Sequence, residues 1–208
     1  IKKAKGDIIL LTDADMIATP DLLEQHLLAH NKKEKACFEG LTINPDGKPY
    51  IQVRLRPLQK LKWAYFLTGN LSIKKKAMVE AGLFDENFKG YGWEDIELGY
   101  RLHQMRIPLF YLPSAINYHD HPVSRQGMVE RKFEMGRSAA LFYKKHPNLG
   151  IKLFIGINPI AMGIFHYIKK YPTLLKKISL KAPASGFFQY LLEEYQYRLG
   201  LEEGLSKN

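Results

Sequence analysis

Ala81-Gly82-Leu83-Phe84-Asp85-Glu86-Asn87-Phe88-Lys89-Gly90-Tyr91-Gly92-Trp93-Glu94-Asp95-Ile96-Glu97-Leu98-Gly99-Tyr100-Arg101-Leu102 is the stretch on which the reading of the fold turns. Gly82 closes a short helical run over Lys75 to Ala81. Phe84 to Gly92 reads as a loop punctuated by Asn87, Gly90 and Gly92. From Trp93 to Met105 a helix is expected, with Ile96, Leu98, Tyr100 and Leu102 available for its buried face. The junction delivers an aromatic residue and two adjacent carboxylates, Glu94 and Asp95, onto a helix start. The helix dipole favours acids there and keeps them ionised, which is a sufficient structural reason for their presence. Chemically, an ionised carboxylate in that place can accept the proton of an attacking hydroxyl. Trp93 is either a stacking face for a sugar ring or a core residue.

Working outward toward the N-terminus, Asp7-Ile8-Ile9-Leu10-Leu11-Thr12 is a continuous apolar run. It suits a strand buried on both faces of a mostly parallel sheet. The run ends at Asp13-Ala14-Asp15, and ligands in open α/β sheets bind beyond the carboxyl ends of strands. Two carboxylates one residue apart can hold a hard divalent cation, although Asp is also common in turns and caps. Thr19-Pro20 predicts a helix start with Thr19 as N-cap, running to about Lys33. Cys37 to Ile43 and Tyr50 to Leu55 read as a hairpin about the turn Asn44-Pro45-Asp46-Gly47. Gly69 to Ile73 is a further strand, and Leu109 to Leu112 and Ala115 to Tyr118 are extended. Tyr118-His119-Asp120-His121-Pro122 then places two imidazoles in a polar segment, where each is a transition-metal ligand or a structural histidine.

The chain has 208 residues and a single cysteine, Cys37, which excludes an internal disulfide framework and a cysteine zinc site. A reducing compartment fits that usage. The net charge of +10 is uneven: from Met135 to Leu192 there is no Asp or Glu, and Arg137, Lys144, Lys145, Lys152, Lys169, Lys170, Lys176, Lys177 and Lys181 fall in that stretch. Such a face suits an anionic partner, and no nucleic-acid motif accompanies it. Leu153 to Ile168 carries no full charge, but it is broken by Asn158-Pro159 and is shorter than the roughly 20 residues of a spanning helix. Two readings stay open for it: a helix packed on the preceding domain, or an interfacial helix with lysines on anionic headgroups. Phe187 to Leu199 reads as a final aromatic-rich helix.

Taken in order and spacing, Asp13-Ala14-Asp15, Gly69-Asn70-Leu71-Ser72-Ile73-Lys74-Lys75, the long segment from Ala81 to Leu102, and Tyr118-His119 resemble the catalytic half of family-2 glycosyltransferases with the GT-A fold. The likeness extends to the bacterial chondroitin and hyaluronan polymerase type and to the galactosyltransferase C-terminal motif, and it covers residues 6 to about 122. It implies an α/β fold: the C-terminal part of a GT-A, Rossmann-like nucleotide-diphospho-sugar transferase domain. Residues 1–122 would form the catalytic and acceptor-binding half, and residues 123–208 a helical basic extension.

The resemblance also implies roles. Asp15 and His119 would bind a metal, and Asp13 would bind the donor ribose or the metal's water. Asp95, beside Glu94, would be the catalytic base. Trp93, Gly69 and Asn70 would line the acceptor and donor-sugar pocket. Arg125 is added on charge alone as a diphosphate contact. Mn²⁺ or Mg²⁺ is the implied cofactor, and oxygen-plus-histidine ligation leans to Mn²⁺. The expected partners are a UDP-sugar donor and a glycan or lipid-linked acceptor, with peripheral membrane contact and no nucleic acid, on the cytoplasmic side. The strands that hold the nucleotide are expected to precede this chain, which leaves a sheet edge open. Without a Gln-x-x-Arg-Trp motif a non-processive transferase is expected. The competing readings are a phosphatase using Asp13 and Asp15, and a non-catalytic basic module or truncated relic.

Overall fold

The apolar run at the N-terminus does form a strand, but its neighbours run the other way. The structure, a computed structural model, describes residues 1–51, 55–120, 125–181 and 186–206. The chain divides into two compact units, one of Ile1–Asp85 with Glu94–Pro122 and one of Glu86–Trp93 with Val123–Asn208.

The first unit is an α/β layer. Its strands among the described residues are β1 (Ile8–Leu11), β2 (Met16–Ala18), β3 (Cys37–Ile43), β4 (Lys60–Leu61), β5 (Leu71–Lys74) and β6 (Leu109–His119). Their helices are α1 (Leu22–Lys32), α2 (Lys75–Glu80) and α3 (Glu94–Gln104). The sheet order is β1-β5-β3-β6-β2, with β4 also on β6. Only β3 and β6 are parallel among these pairings; the other four are antiparallel. The expectation of a mostly parallel sheet is thereby corrected. A short apolar run reads alike in either direction, and the direction is set by a partner distant in sequence. β1 ends the strand path, and of its residues only Ile9 is buried.

Three other local expectations change. Thr19 does not cap a helix. Asp21 precedes α1, and the Thr19 hydroxyl donates to the Ile116 carbonyl at 2.9 Å, pinning the end of β2 to β6. The turn at Asn44 to Gly47 is present, with Gly47 at φ 77°, but it leads to a single bridge between Ile43 and Pro49. Tyr50 and Ile51 are not in a strand, and residues 52–54 lie outside the described residues. The two extended pieces at 109–118 are one strand, β6, whose register against β3 shifts after Gly40.

Buried polar groups fix how these elements meet. Asn70, Ser72, His26 and His30 are all buried. Asn70 Oδ1 faces His26 Nε2 at 2.9 Å, His26 Nδ1 faces Ser72 Oγ at 2.8 Å, and Ser72 Oγ faces His30 Nε2 at 3.0 Å. The amide oxygen can only accept, so His26 donates through Nε2 and accepts at Nδ1 from Ser72. Ser72 then accepts from His30 Nε2, leaving His30 Nδ1 a bare acceptor, which is the atom without a partner among the described residues. That chain of donors and acceptors is the one neutral imidazoles make. Burial agrees, lowering both and taking His30 to about 4.

A second clamp sets the start of α3. Arg101 Nε donates to both carboxylate oxygens of Glu97 at 2.8 and 2.9 Å, and its terminal nitrogens reach the carbonyls of Ala81 and Leu83. α3 is thereby fastened to the turn after α2, where Gly82 and Leu83 have φ of 87° and 64°.

The second unit is helical: α4 (Arg125–Lys145), α5 (Leu149–Phe154), α6 (Pro159–Lys170), α7 (Pro172–Lys181) and α8 (Gly186–Ser206). The Asn158-Pro159 interruption is a helix start. Asn158 Oδ1 accepts from Ala161 N at 2.9 Å, and Pro159 takes the first helical position, where no N–H is needed. α4 and α8 touch backbone to backbone through glycines. A Cβ on Gly136 would collide with the Tyr197 carbonyl, and one on Gly200 with the Phe133 carbonyl.

Two outcomes follow from these contacts. Arg101→Met takes the guanidinium away from Glu97, whose side chain is 3% exposed, and from the Ala81 and Leu83 carbonyls. It should lower stability by roughly 3 kcal/mol or more, read as a fall in the urea midpoint; an unchanged midpoint would show the clamp to be idle. Gly136→Ala should cost about 1–3 kcal/mol by overpacking, and calorimetry of the same protein would detect it as a lowered Tm.

Candidate active site

The Asp13-Ala14-Asp15 segment lies between two short strands, and the second of them, β2, was not legible in the sequence. β2 pairs antiparallel with the end of β6, setting Met16 opposite His119, and the Asp120 N–H donates to the Asp15 carbonyl at 2.9 Å. That register carries Asp15 to His119: Oδ2 and Nε2 are 3.2 Å apart, with Asp15 the more exposed. Ile17 and Tyr118, the next pair along, are exposed beside them. Asp13 points toward the start of β5, where a Cβ on Gly69 would lie 3.6 Å from Asp13 Oδ2 and 3.0 Å from Met16 Cε. Burial raises the Asp13 carboxyl above its usual range and Asp15 raises it further, while His119 acts to lower it.

Glu94 and Asp95 open α3, as the periodicity predicts. The chain enters through Gly92 and Trp93, both left-handed, with φ of 79° and 76°. Such a φ is an outlier for a bulky side chain and stores strain on the order of 1–2 kcal/mol. The expectation that the helix N-terminus holds both acids ionised is corrected for Asp95. Burial pushes its carboxyl up to about 7, with the charges of Glu94 and Asp13 adding to the rise. The hydrogen bond from Ile96 N to Asp95 Oδ1, at 2.6 Å, opposes this without cancelling it. Desolvation outweighs the dipole here because the dipole supplies only partial charges. Glu94 Oε2 is buried without a hydrogen-bond partner among the described residues.

One acid was missed. Glu39, in the middle of β3, is 3% exposed, and its Oε2 accepts from Leu67 N at 3.1 Å. Burial holds it well above the usual carboxylate range, the Leu67 hydrogen bond opposes that, and the Asp95 charge adds to it. The signal was present as a charged residue inside the apolar run Cys37-Phe38-Glu39-Gly40-Leu41. The first unit thus joins Asp13, Asp15 and His119 at one pairing and couples Asp13 to Asp95 and Asp95 to Glu39.

Other expected site residues are placed differently. Asn70, expected to line a pocket, is fully buried and bonded to protein; its Nδ2 donates to the Ala115 carbonyl at 2.9 Å. Its amide completes the polar chain described above, which leaves it no face for a ligand. Of the two readings of Trp93, packing is what the structure shows. The indole is 7% exposed, tilted on Phe142 at 5.5 Å and edge-on to Phe154 at 5.8 Å, and its Nε1–H lacks a partner among the described residues. Arg125 begins α4, but its side chain lies outside the described residues, as does His121.

The donor chemistry can be tested against a divalent cation. Among the described residues no three His, Cys, Asp or Glu side chains stand in metal-holding geometry. Asp15 and His119 do fit as two of several ligands, since atoms bound to one ion at about 2.1 Å and at a right angle lie about 3 Å apart. A cation would also relieve the like-charge crowding that raises Asp13 and Asp95.

The Asp95 shift has a defined sign in stability. Its folded value of about 7 exceeds the ordinary 3.8, so between those values the folded state holds a proton that the unfolded chain has lost. Its contribution to stability therefore falls as pH rises from about 4 to about 7, then levels. Urea midpoints of parent and Asp95→Asn across pH 4 to 8 should diverge over that window, the variant gaining on the parent. A pH-independent difference would refute the shift.

Residues 1–84 match the family described as Glycosyl transferase family 2, and residues 55–123 match the one described as N-terminal domain of galactosyltransferase. A protein of Bacillus subtilis (strain 168), named "Uncharacterized glycosyltransferase YfnE", is 25% identical over an alignment covering 59% of this chain and 46% of that protein. Chondroitin synthase of Pasteurella multocida (strain Pm70) is 27% identical, covering 65% of this chain and 15% of that protein. Validoxylamine A glucosyltransferase of Streptomyces hygroscopicus subsp. jinggangensis (strain 5008) is 36% identical, covering 50% and 24% respectively. The chain thus spans less than half the length of each of these relatives.

Proposed function

We propose that this chain, whose residues 1–84 and 55–123 match the families described as Glycosyl transferase family 2 and N-terminal domain of galactosyltransferase, carries the catalytic and acceptor side of an inverting, metal-dependent transferase. It would move a sugar from a nucleoside-diphosphate sugar, a UDP-sugar by preference, to a hydroxyl of a glycan or lipid-linked acceptor. The observation that supports this most is the gathering of Asp13, Asp15 and His119 at the β2–β6 pairing, in the same unit as an Asp95 carboxyl raised to about 7. The relatives' names, a chondroitin synthase and a glucosyltransferase among them, support sugar transfer in polysaccharide or cell-envelope glycan synthesis.

The chemistry runs as a direct displacement. Asp95 takes the proton of the acceptor hydroxyl as that oxygen bonds to the anomeric carbon. The bond from that carbon to the diphosphate oxygen breaks, and the nucleoside diphosphate leaves with the electron pair. One base and one displacement invert the anomeric carbon. A base near neutrality combines a useful ionised fraction with real proton affinity. Asp15 and His119, with Asp13 behind them, would hold Mn²⁺ or Mg²⁺, which when bound offsets the charge developing on the leaving diphosphate. Glu94, with a buried oxygen unpartnered among the described residues, would accept a hydrogen bond from the acceptor. Residues 1–122 are assigned to this catalytic half and 123–208 to a basic helical extension. The setting proposed is the cytoplasmic side, peripheral on the inner face of the membrane.

The test is release of nucleoside diphosphate from a panel of nucleotide sugars with Mn²⁺, with and without candidate acceptors. Asp15→Ala should remove metal-dependent turnover, and Asp95→Asn should lower transfer by about 10²–10⁴-fold while sparing donor binding. Transfer that survives both substitutions would remove the roles given to Asp15 and Asp95, and no turnover with any donor would return the chain to the binding-module reading.

A further inference from the structure

The second unit displays an apolar surface that its own fold does not cover. α6 has two apolar faces. One is internal: Phe165 and Ile168 are buried and cluster with Ile178 and Tyr195. The other faces solvent. Ile160 is 78% exposed, Ile164 56%, Tyr167 60% and Tyr171, just past the helix end, 43%. Their spacing of four, three and four residues puts them in one stripe along the helix. The Tyr167 and Tyr171 rings lie 4.8 Å apart, so the stripe ends in a paired aromatic edge. A helix packed on one face ordinarily turns polar residues to water on the other, and α6 breaks that rule.

Along the chain, the charge on both sides of α6 has one sign. Lys152, Lys170 and Lys177 are exposed on α5, α6 and α7. No acidic residue occurs between Met135 and Leu192. Of the acids on α8, Glu193 accepts from Gln189, and Glu194, Glu202 and Glu203 are paired with Arg198, Lys169 and Arg137. Isoleucines flanked by lysines, with tyrosines at one end, match the composition of a helix lying in the headgroup boundary. No helix among the described residues is long and apolar enough to cross a membrane, so the contact is one of lying on the surface.

We infer that the outward face of α6 docks on an anionic lipid bilayer, through Ile160, Ile164, Tyr167 and Tyr171 in the acyl boundary and the lysines on the headgroups. This rests on the reading above only in setting the acceptor at a membrane. A second copy of the chain would also cover an apolar stripe, but it would not account for the absence of acids, since two such faces would repel.

The experiment is co-sedimentation of the protein with vesicles of phosphatidylcholine alone and with phosphatidylglycerol added, at low and high salt. The parent should pellet with the anionic vesicles, weakly with the neutral ones, and less as salt rises. Ile160→Ser/Ile164→Ser/Tyr167→Ser alters exposed positions, so it should keep the parent urea midpoint and lose vesicle binding about tenfold or more. Lys170→Glu/Lys177→Glu should lose roughly fivefold or more per site, on anionic vesicles only. Parent that stays in the supernatant, or a triple variant that binds as the parent does, overturns the proposal. So does a concentration-dependent dimer that the triple variant abolishes without any vesicle binding. Nucleoside-diphosphate release by the same samples separates the two readings: vesicle binding without turnover keeps the docking and removes the transferase, and turnover without vesicle binding does the reverse.

Discussion

The first unit hangs on a buried amide. Asn70 sits where β5 begins, and its side chain meets β6 through the Ala115 carbonyl and α1 through His26. Asn117, on β6, completes the set: its Nδ2 donates to the Gly69 carbonyl at 2.7 Å and its Oδ1 accepts from the Thr42 hydroxyl at 2.8 Å. Buried amides without partners cost several kcal/mol, whereas satisfied ones specify a single arrangement. The donor and acceptor directions close in only one sense, so α1, β3, β5 and β6 have one way to meet. The site borrows this rigidity. Gly69 precedes Asn70 and faces Asp13, and His119 follows Asn117 by two residues, on the same face of the strand.

Electrostatics on that frame is a contest between desolvation and compensation. Asp13, Asp95 and Glu39 are all raised, with burial the first cause each time and a neighbouring carboxylate adding to it. The local compensation is small: the backbone N–H groups of Leu67, Ile96 and Asp95 itself, and the imidazole of His119. Such an accumulation is costly for a resting fold and suits a centre that receives a cation and a proton during its work. The strained entry through Trp93 belongs to the same economy of design, since it delivers both acids to the first turn of α3.

Much of this was legible because it is local. The Ala81 to Leu102 stretch announced a helix stop, a glycine loop and an acidic helix start, and each is where its residues say. Asn158-Pro159 broke an apolar run and proved to be a cap with proline behind it. The failures are equally local in origin. Thr19 has the chemistry of a cap, and its hydroxyl found the Ile116 carbonyl instead. Asn70 has the chemistry of a pocket residue and was drawn into the core network. Three residues, Met16 to Ala18, are too few to show an alternation, so β2 was invisible.

The sequence by itself determined the inventory: which carboxylates, imidazoles and apolar stripes exist, and at what spacing along each element. Periodicity is a property of neighbours along the chain, so it survives without a fold. Tertiary structure alone decided three things. It set strand direction, since β1 and β5 had to meet before it was defined. It set proton affinity, since the Asp95 carboxyl rises to about 7 only once it is buried beside other acids. It also decided which of the two apolar faces of α6 is covered, because Phe165 and Ile160 are equally apolar until Tyr195 packs against one of them. Pairing, desolvation and burial are properties of groups far apart in sequence, and they have no value until those groups are in contact.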